Sequence, residues 1–210
     1  MERILLASGS PRRRELLADA GIPFDVLVTD LDESKRDALP PAERVLALAE
    51  DKARAALELA SPSAPRLVLA ADTLVCLPSK ETGGMETALG KPEGLAEARV
   101  MLRALSGRSH IVRTGLALLD RETGALSKIR SDSKVVFASF GEQEREGYLA
   151  SREWEGAAGA YRIQGLGSFL IDRIDGSWSG IVGLPMRELY VILSTAGYRI
   201  PSFQTGNQGG

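Results

Sequence analysis

The segment Arg66–Ala71, reading RLVLAA, restricts the fold more than any other part of the chain. A short, continuous apolar run of this kind is the signature of a strand covered on both faces. Such a strand needs helices on each side and therefore an α/β arrangement. The run ends in Asp72-Thr73. In open α/β sheets ligands bind beyond the carboxyl ends of strands, which makes Asp72 a candidate for chemistry. The structural alternative is an Asx turn that closes the strand.

The opening of the chain repeats the strand-then-turn pattern. Arg3–Ala7 reads as a buried strand, Ser8-Gly9-Ser10 as a turn, and Pro11 as the start of a helix. Ser10 suits the N-cap and Pro11 the first helical position, while Gly21 supplies a stop after about ten residues. Arg12, Arg13 and Arg14 crowd the first turn, where the helix dipole is already positive. Each misplaced cation costs a few tenths of a kcal/mol. An anion docked there removes the cost, because orphan N–H groups and guanidiniums converge on it. A solvated basic patch is the plainer alternative.

Further along, Phe24–Val28 reads as a second strand and Asp30–Ser34 as an acidic loop that offers a carboxylate to a hard cation. Pro41–Ala60 is a helix with Val45, Leu48, Ala49, Ala56 and Ala60 at helical spacing. Lys52 falls on that same apolar stripe, where it either snorkels to the surface or points an ammonium into a cleft. A loop over Pro78–Ala88 leads to a helix from Pro92 to Leu105, with Leu95, Ala98, Leu102 and Leu105 inward and the cation Lys91 just before its start. Ser109–Leu119 and Ser127–Phe140 form a hairpin through Asp120–Gly124. Gly141–Ala150 is a short helix, Phe169–Ile174 a strand, and Pro185–Ala196 the final helix. His110 reads as a structural hydrogen-bonder and Cys76 as a small hydrophobe.

Composition narrows the function classes. A net charge of -2 over 210 residues excludes a dedicated nucleic-acid track, so the local basic clusters point to small anionic ligands. One cysteine leaves no disulfide framework and no cysteine-based zinc site, as expected of a reducing compartment. The first residues are too little apolar for a signal peptide, and no run is long enough to span a membrane. A cytoplasmic protein is the expectation. The polar, Gly-rich tail Pro201–Gly210 is expected to be disordered.

Taken together, the motifs resemble a known family. Ser8-x-Ser10-Pro11-Arg12-Arg13-x-Glu15-Leu16-Leu17, Ala71-Asp72-Thr73, Gly90-Lys91-Pro92, Ser106-Gly107-x-x-His110 with Thr114-Gly115, Gly159-Ala160-Tyr161-x-Ile163-Gln164-Gly165 and Val182-Gly183-Leu184-Pro185 look like the Maf family of nucleoside triphosphate pyrophosphatases. The resemblance runs from residue 3 to about 198 and implies one domain over residues 1–200. It implies an elongated mixed α/β fold of the inosine triphosphatase (Maf/Ham1) type, with flanking helices and two lobes around a central cleft. It further implies a divalent cation, Mg2+ or Mn2+, and hydrolysis of a triphosphate to the monophosphate and pyrophosphate. Asp72 matches the family's general base and, with Glu33, its metal site. Arg12, Thr73 and Gln164 match its base-selecting positions and read as in the dTTP/UTP branch. Ser8, Ser10, Arg13, Lys52 and Lys91 match positions on the phosphate side. A 7-methyl-GTP or other modified-nucleotide pyrophosphatase, or a slow-turnover regulator linked to cell division, are the alternatives. Family habit alone suggests a homodimer. Gly9, Ala157, Trp178 and Gly180 depart from the common pattern, and the loss of a lysine at position 157 removes one expected phosphate contact.

Overall fold

The computed structural model describes residues 2–78 and 86–200. Its centre is a mixed sheet of seven strands. In chain order the elements are β1 (Ile4–Leu6), α1 (Pro11–Asp19), β2 (Phe24–Val26), α2 (Pro41–Leu59), β3 (Leu67–Pro78), β4 (Glu86–Leu89) and α3 (Leu95–Leu105). They continue with β5 (Ser109–Asp120), β6 (Leu126–Phe137), α4 (Glu142–Ala150), β7 (Ile171–Asp175), α5 (Trp178–Val182) and α6 (Met186–Thr195). The sheet order is β2-β1-β3-β5-β6-β7, with β4 pairing to the far end of β3. Only the β1 pairings are parallel.

The RLVLAA run is covered on both faces, as its composition requires. Val68 and Ala70 pack with Ala49, Ala53 and Ala56 of α2. Leu67, Leu69 and Ala71 pack on the other side with Leu17 of α1 and Leu189, Ile192 and Leu193 of α6. The alanines of α2 allow a close approach to the sheet: a Cβ on Gly115 would lie 2.4 Å from the Val45 carbonyl oxygen. A third apolar body, built from Val75, Leu77, Leu102, Leu105, Phe137 and Tyr161 among others, sits at the opposite end of the long strands. The molecule thus has two apolar ends bridged by β3, β5 and β6.

β3 departs from expectation in a way that creates the site. It does not end at Ala71 but runs on to Pro78, because β5 pairs with it without interruption from Leu67 to Cys76. On its other edge β1 covers only Leu67–Leu69, and β4 covers only Val75–Pro78. Between them the edge at residues 70–74 has no strand beside it. Asp72 and Thr73 therefore lie mid-strand at a notch in the sheet, and it is the neighbouring strand β1 that terminates there.

Other boundaries shift for local reasons. α1 runs from Pro11 to a stop at Gly21, which has a φ of +66°, as the sequence indicates. The β3–β4 connection is shorter than the loop read over Pro78–Ala88, since Pro78 closes one strand and Glu86 opens the next; residues 79–85 fall outside the described set. α3 begins at Leu95 with Gly94 as N-cap, not at Pro92, so Lys91 does not abut the helix end. Leu95 faces solvent and Met101 takes a buried place. Phe169 belongs to a 3-10 turn over Gly165–Leu170 and is 81% exposed, so the strand starts only at Ile171. β6 stops at Phe137, short of the expected Phe140. The tail 201–210 lies outside the described residues.

Candidate active site

The notch opens into a cleft of about 640 Å³. Every residue selected from the sequence lines it. Ser8, Ser10, Arg12 and Arg13 come from the β1–α1 turn and the first helical turn; Glu33 and Lys52 come from the connection before α2 and from α2 itself. Asp72 and Thr73 come from β3, Lys91 from the segment between β4 and α3, and Gln164 from the chain after α4. The structure brings all of them together.

At the floor, Lys52 leaves its apolar stripe and enters the notch instead of snorkelling outward. Its Nζ donates to Asp72 Oδ1 at 2.6 Å and stands 2.9 Å from Glu33 Oε1. Burial by itself would lift the Glu33 carboxyl, but the Lys52 hydrogen bond and the charges of Lys52, Lys91 and Arg44 outweigh it and hold the group below its usual range. Asp72 is 6% exposed, and its Oδ2 is buried with no hydrogen-bond partner. A buried carboxylate oxygen left open in a basic cleft is an exception that needs a ligand or a reaction to explain it.

Arg13 lines the cleft and is held by the protein through four hydrogen bonds. Nε donates to the Gly183 carbonyl at 2.8 Å, and Nη1 donates to the Ala71 carbonyl at 2.8 Å and to Ser8 Oγ at 2.9 Å. Nη2 donates to Thr73 Oγ1 at 3.3 Å. The Ala71 contact follows from the notch. The Leu69 carbonyl accepts the Ala7 N–H; Ala71, two residues on, points its carbonyl the same way, where β1 has run out. Arg13 takes the place of the missing strand. Burial lowers its pKa, against the pull of Asp72.

Thr73 is committed too. Thr114 Oγ1 donates its single proton to the Gly180 carbonyl at 2.8 Å, so in the 2.9 Å contact between the two threonines Thr73 must be the donor. Hydrogen bonds thus run from Arg13 through Thr73 and Thr114 to Gly180. Thr73 keeps a lone pair for a ligand but no proton. Ser8 Oγ also accepts from the Ser10 N–H at 3.3 Å, and Ser10, although it stands at the N-cap, makes no side-chain capping bond. The orphan N–H groups of the first turn of α1 are therefore left for another acceptor.

The basic residues of the cleft divide accordingly. Lys52 is tied to two carboxylates, Arg44 is paired with Asp37, and Arg13 is tied to backbone and hydroxyls. Among the described residues, Arg12, Lys91 and Arg162 have no carboxylate partner. Arg162 was not among the residues chosen from the sequence; its one signal is a charged residue inside the small-residue loop Gly156–Gly165. Its Nη2 donates to the Glu155 carbonyl at 3.0 Å and its Nε is buried without a partner. Arg12 has its pKa lowered by burial first and by the charge of Arg162 second. Arg14 is exposed, as expected. His110 is fully buried, with Nε2 2.8 Å from the Tyr161 hydroxyl and edge contacts to Phe137 and Tyr161, and burial lowers its pKa to about 4. It is a neutral structural group. Burial pushes the Cys76 thiol up to about 12, so it packs as a hydrophobe.

The family model described as Maf-like protein matches residues 3–196. The chain belongs to the Maf-like family. A dTTP/UTP pyrophosphatase of Treponema denticola is 42% identical over 202 residues, which cover 95% of this chain and 100% of that one. A dTTP/UTP pyrophosphatase of Methylobacillus flagellatus is 41% identical over 97% of this chain and 98% of its own length. A third, of Bacillus anthracis, is 40% identical over 90% of this chain and 93% of its own. Within this Maf-like chain the departure at Gly9 is sterically mild, whereas a Cβ on Gly180 would meet Ser177 Cβ at 3.1 Å. A Cβ on Gly9 would meet Val28 Cγ2 at 3.5 Å, an ordinary contact, so the turn has room for a serine. Ala157 is 1% exposed, and its neighbours Gly156 and Ala158 line the cleft instead.

Proposed function

We propose that the chain is a nucleoside triphosphate pyrophosphatase that converts dTTP and UTP to the monophosphate and pyrophosphate, as a house-cleaning enzyme of the nucleotide pool. Support comes from Maf-like family membership, from relatives of near-complete coverage named dTTP/UTP pyrophosphatases, and above all from one observation. Asp72 has one carboxylate oxygen fixed by Lys52 and the other buried and open, at the floor of a cleft that carries unpaired cations.

In this reading Asp72 orients water and takes its proton as the oxygen attacks the α-phosphorus. Lys52 holds the carboxylate in place. Lys91 and the open N–H groups of α1 meet the triphosphate charge, and each charged hydrogen bond contributes roughly 1.5–3 kcal/mol. Arg13 serves as the tether that shapes the turn around the phosphates. Gln164, whose amide both donates and accepts, faces the base edge with Arg12 and the remaining lone pair of Thr73. Among the described residues no group of three or more His, Cys, Asp and Glu side chains stands ready for a metal ion. Asp72 and Glu33 would nevertheless hold a hard divalent cation such as Mg2+ or Mn2+ through their carboxylates. When bound, it would supply a more acidic water and offset developing charge.

The test is a panel of nucleoside triphosphates with the purified protein and Mg2+ or Mn2+, with pyrophosphate and orthophosphate read separately. Pyrophosphate released from dTTP and UTP in preference to purine nucleotides is the expected result. Orthophosphate as the product, or no preference among bases, refutes the proposal.

A further inference from the structure

Arg162 remains unexplained by the site so far. A guanidinium in a cleft wall normally finds a carboxylate, because an uncompensated cation away from water is costly. Arg162 has only the Glu155 carbonyl on Nη2, while its Nε is buried and unpartnered. It also lies close enough to Arg12 to depress that residue's pKa, although Arg12 is itself partly desolvated and lacks a carboxylate. Both guanidiniums line the same cleft, and neither has a carboxylate partner among the described residues.

The local backbone shows where the pair works. From Tyr161 to Gln164 burial alternates: Tyr161 and Ile163 are rooted in the core, and Arg162 and Gln164 are the more open residues on the cleft. Arg162 therefore shares its stretch of wall with the neutral amide of Gln164. Two guanidiniums offer donors only, and Gln164 offers a carbonyl oxygen. Thr73 adds no donor, since its proton goes to Thr114. The cleft thus brings two guanidinium donors together with an amide whose carbonyl can accept.

We infer that Arg162 is a specificity-determining residue that, with Arg12 and Gln164, selects a pyrimidine ring carrying two carbonyls on either side of an imide N–H. This rests on the pyrophosphatase reading above. Uracil and thymine present acceptor, donor and acceptor, and match the wall. Cytosine puts an amino group in place of the 4-carbonyl, so Arg162, which this inference sets against that carbonyl, would face a donor and go unpaired. A site built to hydrogen-bond a group rejects the analogue that lacks it far more strongly than an apolar pocket rejects a missing methylene.

The experiment compares kcat/KM for UTP and CTP in the wild type, Arg162→Met and Arg162→Lys. Methionine keeps the aliphatic stem and loses every donor. The expected result is a fall of about 10- to 100-fold for UTP with CTP changed by less than about 3-fold, so that the UTP-over-CTP preference narrows by about tenfold or more. Lysine, which keeps the charge but not the fork, should retain part of the preference. Inhibition of the same proteins by inorganic tripolyphosphate, which has no base, should not change. Equal losses for UTP and CTP, or weaker tripolyphosphate inhibition, make Arg162 a phosphate clamp and overturn the inference. So does an unchanged preference. If Arg162→Met does not fold, the lysine variant decides by the same ratio. A wild-type protein that releases no pyrophosphate from UTP refutes the proposed function; an active wild type with an unmoved ratio in the variants refutes only this inference.

Discussion

Replacing Arg13 by methionine separates a tether from a ligand. Sequence pattern gives this arginine to the phosphates, and the structure gives it four protein acceptors. Methionine fills a similar length but donates nothing. The carbonyls of Ala71 and Gly183 would then be left unpaired in buried segments, each at roughly 1–3 kcal/mol, and Ser8 and Thr73 would lose a donor as well. The expected loss is about 3–6 kcal/mol, a large part of the roughly 5–15 kcal/mol that holds a domain together. In a chain of this size that lowers the thermal midpoint by roughly 10–20 °C. Urea titration of Arg13→Met and Arg13→Lys measures it, and lysine should recover only part, because a single ammonium cannot reach four acceptors that are spread in a plane. If Arg13→Met loses less than about 1 kcal/mol while KM for UTP rises tenfold or more, Arg13 is a substrate ligand and the tether argument fails.

Three further outcomes follow from the same geometry. Asp72→Asn keeps an acceptor for Lys52 but cannot take a proton, so turnover should fall by about 10²–10⁴ with stability changed by no more than about 1.5 kcal/mol; a variant that unfolds would make Asp72 structural. His110 has a folded pKa of about 4, against 6.5 for the free side chain, so between these values the unfolded chain binds the extra proton. Stability is therefore complete above about pH 6.5 and declines by about 3 kcal/mol toward pH 4, and His110→Gln should flatten that part of a urea-midpoint-against-pH curve. An unchanged slope would mean that His110 titrates normally. Gly115→Ala would drive a methyl into the backbone of α2 at Val45 and should cost about 2–3 kcal/mol by urea denaturation; a neutral effect would mean that the helix sits farther from β5.

Much of this molecule is legible locally. RLVLAA dictates a strand between two layers because an unbroken apolar run has no side to give to water. Pro11 and Gly21 bound α1 because one fits the first helical position and the other a positive φ. The arginine excess at a dipole's positive end is likewise visible in one turn of sequence, and so is Lys52 on an apolar stripe. The length of β3 is not. It depends on β5, whose register holds the strand extended through Asp72, so a residue that reads as a strand end becomes the floor of a notch between β1 and β4. Nor could sequence divide the cations into those held and those free. Arg13 finds its acceptors 58 and 170 residues away, and Thr73 gives up its proton to a threonine 41 residues on. Arg162 joins Arg12 only through packing. Periodicity and propensity act over a few residues, whereas the demand that every buried polar group find a partner is met by whatever the fold brings near. Tertiary structure therefore decided which of the charges written in the sequence remain for a nucleotide.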